Sequence, residues 1–563
     1  MSHSSSEIDQ DNRRARVLKS GLNVVLGCVL MFVVLAGLYW LAGSLHKRVD
    51  LTRNHVYTLS QNSKDILKKL QDKVTITVYT TEKDTPAEWT QRVDDLKELL
   101  TQYRSASNGK VQFTLRDVTP GSDSPAEKAA REAGMEASLM QQSSATELKL
   151  NKGYFGLQAE YRGKSESIPF LAGNLEYQLT RAINKVAAIS TPEIGFMAPQ
   201  GNPLMGQQSQ FSLLHNELEE EGFKVTDLQP TSLGDLSKYA MLMLLDPQNL
   251  SEEALFKIDQ YVMHGGKLFV AAPGVQLSSR MGMNSVTPNP PNINSLLESY
   301  GLRISPNLVE DWQGGRSQAR LTRSGTLVQY KDPFVFTTTQ KSSDSPLTKH
   351  IPMAMFAYTS TVDNSDRGTS GTVTKLLTSS ENSRTQSGPF TIEATELKPP
   401  TRSEKLEKQT LAMMVSGHLN SRYATEPPPV LTKDDGTTYT PSADEILKTS
   451  KGDPEVVVVG SALLLVNEAL QGVPANILLP LNVAEAFTRG SGSLELRARD
   501  LVVPQLRAIT PAEASWTQIL VIGGVPLLLI IFGFIKMMLN RRRRARYRRI
   551  YGGAAEPQFQ QAD

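Results

Sequence analysis

Cysteine is almost missing from this chain of 563 residues, in which it occurs once, as Cys28. A region without cysteine has no disulfide, no thiolate nucleophile and no thiolate metal site. Thiol chemistry and cysteine-bound metals are therefore excluded from everything that follows Cys28.

An excess of charge of one sign is missing as well. Lys and Arg together number 60 and Asp and Glu 58, which leaves a formal net charge of +2 at pH 7. A protein that binds nucleic acid needs a basic surface, and this total gives no reason to expect one. We therefore expect no nucleic acid among the partners.

Catalytic signatures are also absent. The sequence contains no G-x-x-x-x-G-K-[ST] phosphate loop, no H-E-x-x-H zinc motif and no G-x-S-x-G nucleophile elbow. Two weaker features stay open: the glycine-bearing loop from Gly201 to Gly206 is an anion site or a plain turn, and His264 is a general base or an ordinary residue at a helix end. We expect no catalytic residue, no metal and no cofactor, and hence no enzyme.

Two long apolar stretches, residues 21–42 and 515–535, bracket the polar remainder. At about 1.5 Å per residue, each is long enough to cross a hydrocarbon core roughly 30 Å thick. We predict transmembrane helices over 21–42 and 515–539. The first stretch is alternatively a cleaved signal peptide, because small residues follow it at 41–44, although its apolar run is long for one.

Basic residues flank both stretches and predict their orientation, because Lys and Arg near a span stay on the cytoplasmic side. The tails 1–20 and 540–563 are therefore expected in the cytoplasm and the bulk outside, periplasmic or extracytoplasmic, at a prokaryotic inner membrane. The basic C-terminal tail either binds anionic membrane lipid or only enforces this topology. The flanking residues are Arg13, Arg14, Arg16, Lys19, Arg541, Arg542, Arg543 and Arg544.

Glycines inside the two stretches offer small surfaces at which membrane helices pack closely. The alternative is ordinary use of glycine in membrane helices. The candidates for packing are Gly27, Gly37, Gly523 and Gly524.

Residues 50–188 show the pattern of an α/β domain. Apolar and polar side chains alternate over 74–79 and 111–115, as they do in strands. The region between them repeats apolar residues every three or four positions, which predicts a helix and hence a β-α-β unit, right-handed if its strands are parallel. These apolar residues are Trp89, Val93, Leu96, Leu100 and Tyr103.

Residues 189–510 predict a second α/β domain. Strand patterns at 193–197, 240–245 and 267–272 alternate with helical patterns, as in a doubly wound parallel sheet covered on both faces. One helix is predicted to end at Gly265 and Gly266, which are assigned a structural role. Between 276 and 453 the pattern weakens, and we predict an irregular or β-rich insertion.

A series of segments in one order resembles the GldG-like auxiliary proteins of ABC transporters, the gliding-motility type. No single segment is specific, but the ordered set covers nearly the whole chain. The segments are 51–60, the strand at Val74, the helix at Tyr103 before 108–110, 179–183, 261–268, 376–380, the strand at Val457 and the terminal apolar stretch with its arginine run.

The resemblance implies partners rather than a reaction. It implies a separate permease and a cytoplasmic ATPase, with this chain as their non-catalytic extracytoplasmic accessory subunit, and it leaves other envelope proteins as further partners. The glycine pair Gly265–Gly266 is similar to class I glutamine amidotransferase-like domains, and the 74–115 unit resembles thioredoxin-like folds. Both lack the cysteine that the chemistry of those folds needs.

Two other functions stay open. The first is a membrane-tethered envelope hydrolase that uses carboxylates between 276 and 453, and the second is a purely structural envelope tether. No motif indicates the transported substance, the direction of transport or the stoichiometry.

Overall fold

The computed structural model describes most of the chain between residues 59 and 490. It divides into two units, residues 1–501 and 502–563, and each is described by itself. The described residues are 59–83, 85–143, 148–171, 173–187, 191–201, 209–247, 249–280, 283–321, 327–342, 344–367, 369–392, 397–401, 403–432, 436–490, 494, 524 and 530–542.

The N-terminal part of the first unit is a small α/β structure. In chain order its elements are α1 (Gln61–Lys69), β1 (Val74–Thr80), α2 (Ala87–Ala106), β2 (Val111–Asp117), α3 (Pro125–Glu132), β3 (Ser138–Ser143), β4 (Leu148–Gly153), β5 (Phe155–Tyr161), β6 (Lys164–Ile168) and α4 (Leu175–Ala187).

Four of these strands form a mixed sheet in the order β2-β1-β5-β6, with β1 and β2 parallel and the other neighbours antiparallel. Residues Val93, Leu96, Leu100 and Tyr103 on α2 are buried against it, so the apolar spacing seen in the sequence is the core face of this helix. Strands β3 and β4 form a separate hairpin.

The rest of the first unit is built around a larger sheet. Its helices and the strands of that sheet are β7 (Glu193–Met197), α5 (Ser212–Glu220), β8 (Lys224–Asp227), β9 (Met241–Leu245), α6 (Glu252–Met263), β10 (Leu268–Ala271), α7 (Asn294–Tyr300), β19 (Thr372–Thr378), β21 (Thr410–Ser416), β24 (Glu455–Val459), α8 (Asn467–Gly472) and α9 (Leu478–Arg489).

The sheet has seven strands in the order β19-β21-β24-β10-β9-β7-β8. The five strands from β24 to β8 are parallel, β21 pairs antiparallel with β24, and β19 pairs antiparallel with β21 at the edge. Both faces are buried, because Met241 and Met243 lie in one apolar cluster while Leu242 and Leu244 lie in another. Strands covered on both faces read as continuous apolar runs, as β9 does.

The described residues between 276 and 453 are rich in strands, which is the β-rich alternative of the predicted insertion. They supply β19 and β21 to the large sheet, so that sheet is mixed rather than wholly parallel. The remaining strands of this region form hairpins and short pairs. They are β11 (Val275–Arg280), β12 (Met283–Pro288), β13 (Leu302–Ile304), β14 (Leu308–Asp311), β15 (Gly315–Leu321), β16 (Leu327–Thr338), β17 (Ala354–Ala357), β18 (Val362–Asn364), β20 (Ser383–Gln386), β22 (Leu431–Thr432) and β23 (Thr438–Tyr439).

The predicted fold class, with a transmembrane helix at each end, is corrected by the structure. In the part of the chain that is described, no helix is long and apolar enough to cross a membrane. The described helical residues near the C-terminus are 524 and 530–542. Residues 21–42, 515–523 and 525–529 lie outside the described residues.

Candidate functional site

In open α/β sheets, ligands bind in the crevice outside the carboxyl ends of the parallel strands. We call this side of a sheet its carboxyl edge. In the large sheet, two neighbouring central strands, β10 and β24, end there and lead into Gly274 and Gly460. This is where a doubly wound domain places its ligand or its nucleophile, so it is the first place to look for a site.

A segment of the chain itself covers this part of the edge. Residues 359–361, which we call the closing segment, are almost completely buried. The Ser360 hydroxyl accepts a hydrogen bond from the Gly274 amide at 2.9 Å, and the Ser360 amide donates to the Gly460 carbonyl at 2.9 Å. The insertion is therefore bonded directly to the loops that follow both strands.

The fit is tight enough to exclude even a methyl group. A Cβ atom added at Gly274 would lie 2.0 Å from the carbonyl oxygen of Ser305, and one at Gly460 would lie 2.0 Å from that of Ser360. Backbone atoms on both sides cannot move aside as a flexible side chain can. No ligand fits between the closing segment and these two strand ends.

The polar groups around the closing segment bond to one another. Asn307 accepts from the Thr361 amide at 2.9 Å, and Asp363 accepts from the hydroxyls of Ser305 and Thr361 at 2.6 Å each. Buried polar groups that are satisfied in this way fix one conformation. These hydrogen bonds hold the closing segment in place. They do not place an acid and a base against a substrate.

Two further acidic residues of the insertion are completely buried and bonded. Glu310 accepts from the Trp312 indole and from Arg384, both at 2.8 Å. Asp311 accepts from the Gly314 amide at 2.7 Å and from the Ser380 hydroxyl at 2.7 Å. Because these carboxylates are the internal ties of the insertion, they do not supply the carboxylates that a hydrolase would need.

Asp259 is a third buried carboxyl, on α6. It accepts from the Tyr300 hydroxyl at 3.0 Å, the Ser421 hydroxyl at 2.6 Å and the Arg422 amide at 3.3 Å. Burial raises the pKa of this carboxyl above its usual value, against the effect of these hydrogen bonds. Asp259 thus ties α6 to α7 and to the segment at 421, a role that no sequence pattern indicated.

Gly265 and Gly266, the two structural glycines of the sequence analysis, share one turn at the end of α6. Gly265 has φ +91°, a left-handed conformation that side chains rarely adopt. A Cβ at Gly266 would lie 2.3 Å from the Tyr261 ring. His264 lies at the helix end, with Nδ1 2.7 Å from the Gln260 carbonyl oxygen, as expected for an ordinary residue at a helix terminus.

The remaining sequence candidates lie mostly outside the described residues. Three candidates near the C-terminal apolar stretch, Gly524, Arg541 and Arg542, are described, and they are helical residues of the second unit. The glycine loop is described only at Gly201. Outside the described residues are Arg13, Arg14, Arg16, Lys19, Gly27, Gly37, Gly523, Arg543 and Arg544.

A bound metal ion would need several His, Cys, Asp or Glu side chains close together. Within the described ranges, no group of three or more His, Cys, Asp or Glu side chains is arranged to hold a metal ion.

These observations define an α/β protein. In domains of this type the carboxyl edge of the sheet commonly binds a ligand or carries a nucleophile, and here the centre of that edge is packed against the protein's own chain. The profile of the family described as ABC-type uncharacterized transport system matches residues 191–482, the region of the large sheet. The chain belongs to this family as an auxiliary component. A second profile, a domain of unknown function (DUF7088), matches residues 53–160.

One relative matches over almost its whole length. An uncharacterized protein of Borreliella burgdorferi is 22% identical over 533 residues, which cover 92% of this chain and 98% of the relative. The auxiliary family of ABC transporters that the resemblance implied is thereby confirmed by the profile, while its GldG-like subtype stays a prediction.

Similar solved structures are only distant. The mmIFT52 N-terminal domain has a TM-score of 0.30 and 13% identity, and covers 53% of this chain and 98% of its own. The GH42 beta-galactosidase Gan42B has a TM-score of 0.16 and 12% identity, and covers 47% of this chain and 40% of its own. Likenesses at these scores carry no argument about fold or function.

Proposed function

We propose that this protein is a non-catalytic accessory subunit of an ABC transport system, of the GldG-like type, working with a separate permease and a separate ATPase. The observation that carries the proposal is the family profile across 191–482. The resemblance of the ordered segments supports the subtype.

The packed edge of the large sheet supports the non-catalytic part of the proposal. A fold carries no activity by itself, and activity requires an accessible set of reacting groups. Here Gly274 and Gly460 are in contact with the closing segment. Glu310 and Asp311 accept hydrogen bonds from other groups of the same chain. The sheet serves as a rigid scaffold.

We place the folded region at the extracytoplasmic face of the cell envelope, as the resemblance implies. An accessory subunit contributes to transport only if it binds the permease differently in its two states, because a partner with equal affinity for both shifts nothing. Other envelope proteins remain candidate partners, and lipid binding by the basic tail 540–563 remains a prediction.

The test is co-purification of the tagged full-length protein from its own cells in mild detergent, with mass spectrometry of what accompanies it. We expect an ABC ATPase and a multi-span permease. An unrelated envelope protein with the same tag is the control. Recovery of an intact, abundant protein without either subunit would overturn the proposal.

Specificity is tested by a variant of the family region. Gly460→Ala displaces the closing segment and destabilises the family region, so we expect smaller amounts of the two transport subunits to co-purify. The matched variant Gly234→Ala, at a glycine with no atom within 4 Å of an added Cβ, is expected to retain both.

A further inference from the structure

The small sheet has its own carboxyl edge, and there we propose a binding site for a phosphate group carried by a small molecule. The site is a crevice of about 590 Å³, which is within the range of small-molecule pockets. The inference is independent of the transport role. We call the site the cationic crevice, and its walls include Thr81, Lys83, Thr119, Arg131, Lys152 and Tyr154.

Its position follows from the parallel pair of strands. Strands β1 and β2 run side by side and end at Thr80 and Asp117, where the Val118 amide donates to the Thr80 carbonyl at 2.8 Å. The loops that follow the two strands form the walls of the crevice. This is the side of an open α/β sheet at which ligands are bound.

The wall is held together by hydrogen bonds. The Thr81 hydroxyl donates to the Val118 carbonyl at 2.6 Å and accepts from the Tyr154 amide at 3.0 Å. The loop after β1, the loop after β2 and the start of β5 are thereby fixed to one another. A preformed wall lowers the cost of ordering on binding.

Three cations from three different elements line the crevice. Lys83 follows β1, Arg131 belongs to α3 and Lys152 belongs to β4. Within the described residues, neither lysine makes an ion pair. Glu127 is the one acidic residue of the lining, so the crevice carries an excess of positive charge.

The single carboxylate is occupied by the protein itself. Glu127 is 2% exposed and accepts from the Gly121 and Asp123 amides and from Arg131, each at 2.8 Å. These bonds, the Arg131 bond first, lower the pKa of Glu127 to about 2, so it stays ionised. Its role is to position the loop and the guanidinium of Arg131, which remains half exposed.

Other charges near the mouth are weaker competitors. Asp123 is 80% exposed and lies 3.7 Å from Arg131, and the Asp117 carboxylate accepts from the Glu82 amide at 3.0 Å. Convergent Lys and Arg donors with neighbouring hydroxyls suit phosphate oxygens, because charge-assisted hydrogen bonds are the stronger ones. A phosphate monoester matches this set in charge, and the volume leaves room for the group that carries it.

The experiment is calorimetric titration of the full-length protein in detergent with inorganic phosphate, glycerol 3-phosphate and glucose 6-phosphate, with glucose as the uncharged control. We expect the phosphates to bind and glucose not to bind. Tightest binding of glycerol 3-phosphate indicates a lipid headgroup as the natural source, and tightest binding of glucose 6-phosphate indicates a phosphorylated sugar. Failure of all three phosphates to bind would overturn the proposal without touching the transport role.

The variants are Lys83→Gln with Lys152→Gln, and the matched control is Lys128→Gln, an exposed lysine of α3 outside the crevice. We expect the double variant to weaken phosphate binding by about tenfold or more, and the control by less than about twofold. Equal effects of the two would contradict the site. Hydrogen exchange of the wild-type protein is a check that needs no variant: the phosphate should protect 81–83, 118–131 and 151–154. Protection confined to other residues would refute the assignment.

Discussion

The two sheets of the first unit end their parallel strands in different surroundings. At the large sheet, the closing segment is hydrogen-bonded to the loops after β10 and β24, and an added methyl group finds backbone 2.0 Å away. At the small sheet, the loops after β1 and β2 border a crevice of about 590 Å³ whose lining includes two lysines and an arginine. The same architectural position is filled in one region and open in the other.

The difference teaches where to look for binding in a protein of this kind. In the larger domain, the closing segment of the chain itself covers the carboxyl ends of two central strands. The smaller domain keeps the opening and surrounds it with charge. A ligand that binds this protein through a strand edge is therefore expected at the small sheet, although the large one has the more familiar fold.

The largest expected effect on stability comes from disturbing the carboxyl edge of the large sheet, which the closing segment covers. Gly460→Ala places a methyl group 2.0 Å from the Ser360 carbonyl, and we expect the free energy of unfolding to fall by about 3 kcal/mol or more, because backbone must move. Chemical denaturation of the purified protein measures it. Gly234→Ala should change little, and an unaffected Gly460→Ala would mean that the closing segment is not packed as described.

The second effect concerns the buried tie on α6. Asp259→Ala leaves the Tyr300 and Ser421 hydroxyls without their acceptor, and we expect a loss of about 2 to 4 kcal/mol in the free energy of unfolding. Asp235→Ala, at an exposed carboxylate that accepts only local hydrogen bonds from Ser237, is the control and should have a smaller effect. A similar small loss in both would show that the Asp259 network is not stabilising.

The third prediction separates the two regions by pH. The pKa of Glu127 is lowered from 4.5 to about 2, so its contribution to stability is present above pH 4.5 and is lost as the pH falls towards 2. Burial raises the pKa of Asp259, so below that raised pKa the folded state holds a proton that the unfolded state releases, and acidification is stabilising there.

Glu127→Gln should therefore reduce the loss of thermal stability that occurs as the pH falls. Asp259→Asn should remove the gain in thermal stability that acidification gives. Melting temperatures between pH 2 and pH 7 measure both. Shifts of the same sign in the two variants would contradict the assigned pKa directions.

The smallest effects are expected from matched helix caps. Ser124 caps α3 beside the open crevice and Ser251 caps α6 in the large domain, each accepting from the amide three residues on, at 3.2 Å and 3.1 Å. Replacing either by Ala should cost about 1 kcal/mol. Ser105→Ala, exposed on α2, is the control, and a loss confined to one cap would show that the two helix starts are not equivalent.

Local features of the fold could be predicted from the sequence because they depend on nearby residues. Gly265 and Gly266 marked the end of α6, and the apolar spacing on α2 marked a core face. The resemblance gave the ABC auxiliary family. Against the predicted membrane spans, no helix in the described part of the chain is long and apolar enough to cross a membrane.

The rest depends on contacts between distant parts of the chain. Nothing near Ser360 indicates that it bonds to Gly274 and to Gly460, which come from strands on either side of it in the sequence. Lys83, Arg131 and Lys152 are ordinary surface residues in their own segments, and only the pairing of β1 with β2 and β5 brings their elements together. The spacing of apolar residues along the sequence contains no information about contacts between distant parts of the chain.

The pairing of β10 with β24 has a consequence for how the chain folds. Leu268 pairs with Val456, and the whole region from 276 to 453 lies between them. Non-local pairings slow folding, since the intervening loop must close before its contacts form. During synthesis the edge of β10 that pairs with β24 stays unpaired until this last strand is made. Because unpaired apolar edges favour aggregation, we expect partly made chains to be the form of this protein that aggregates most readily.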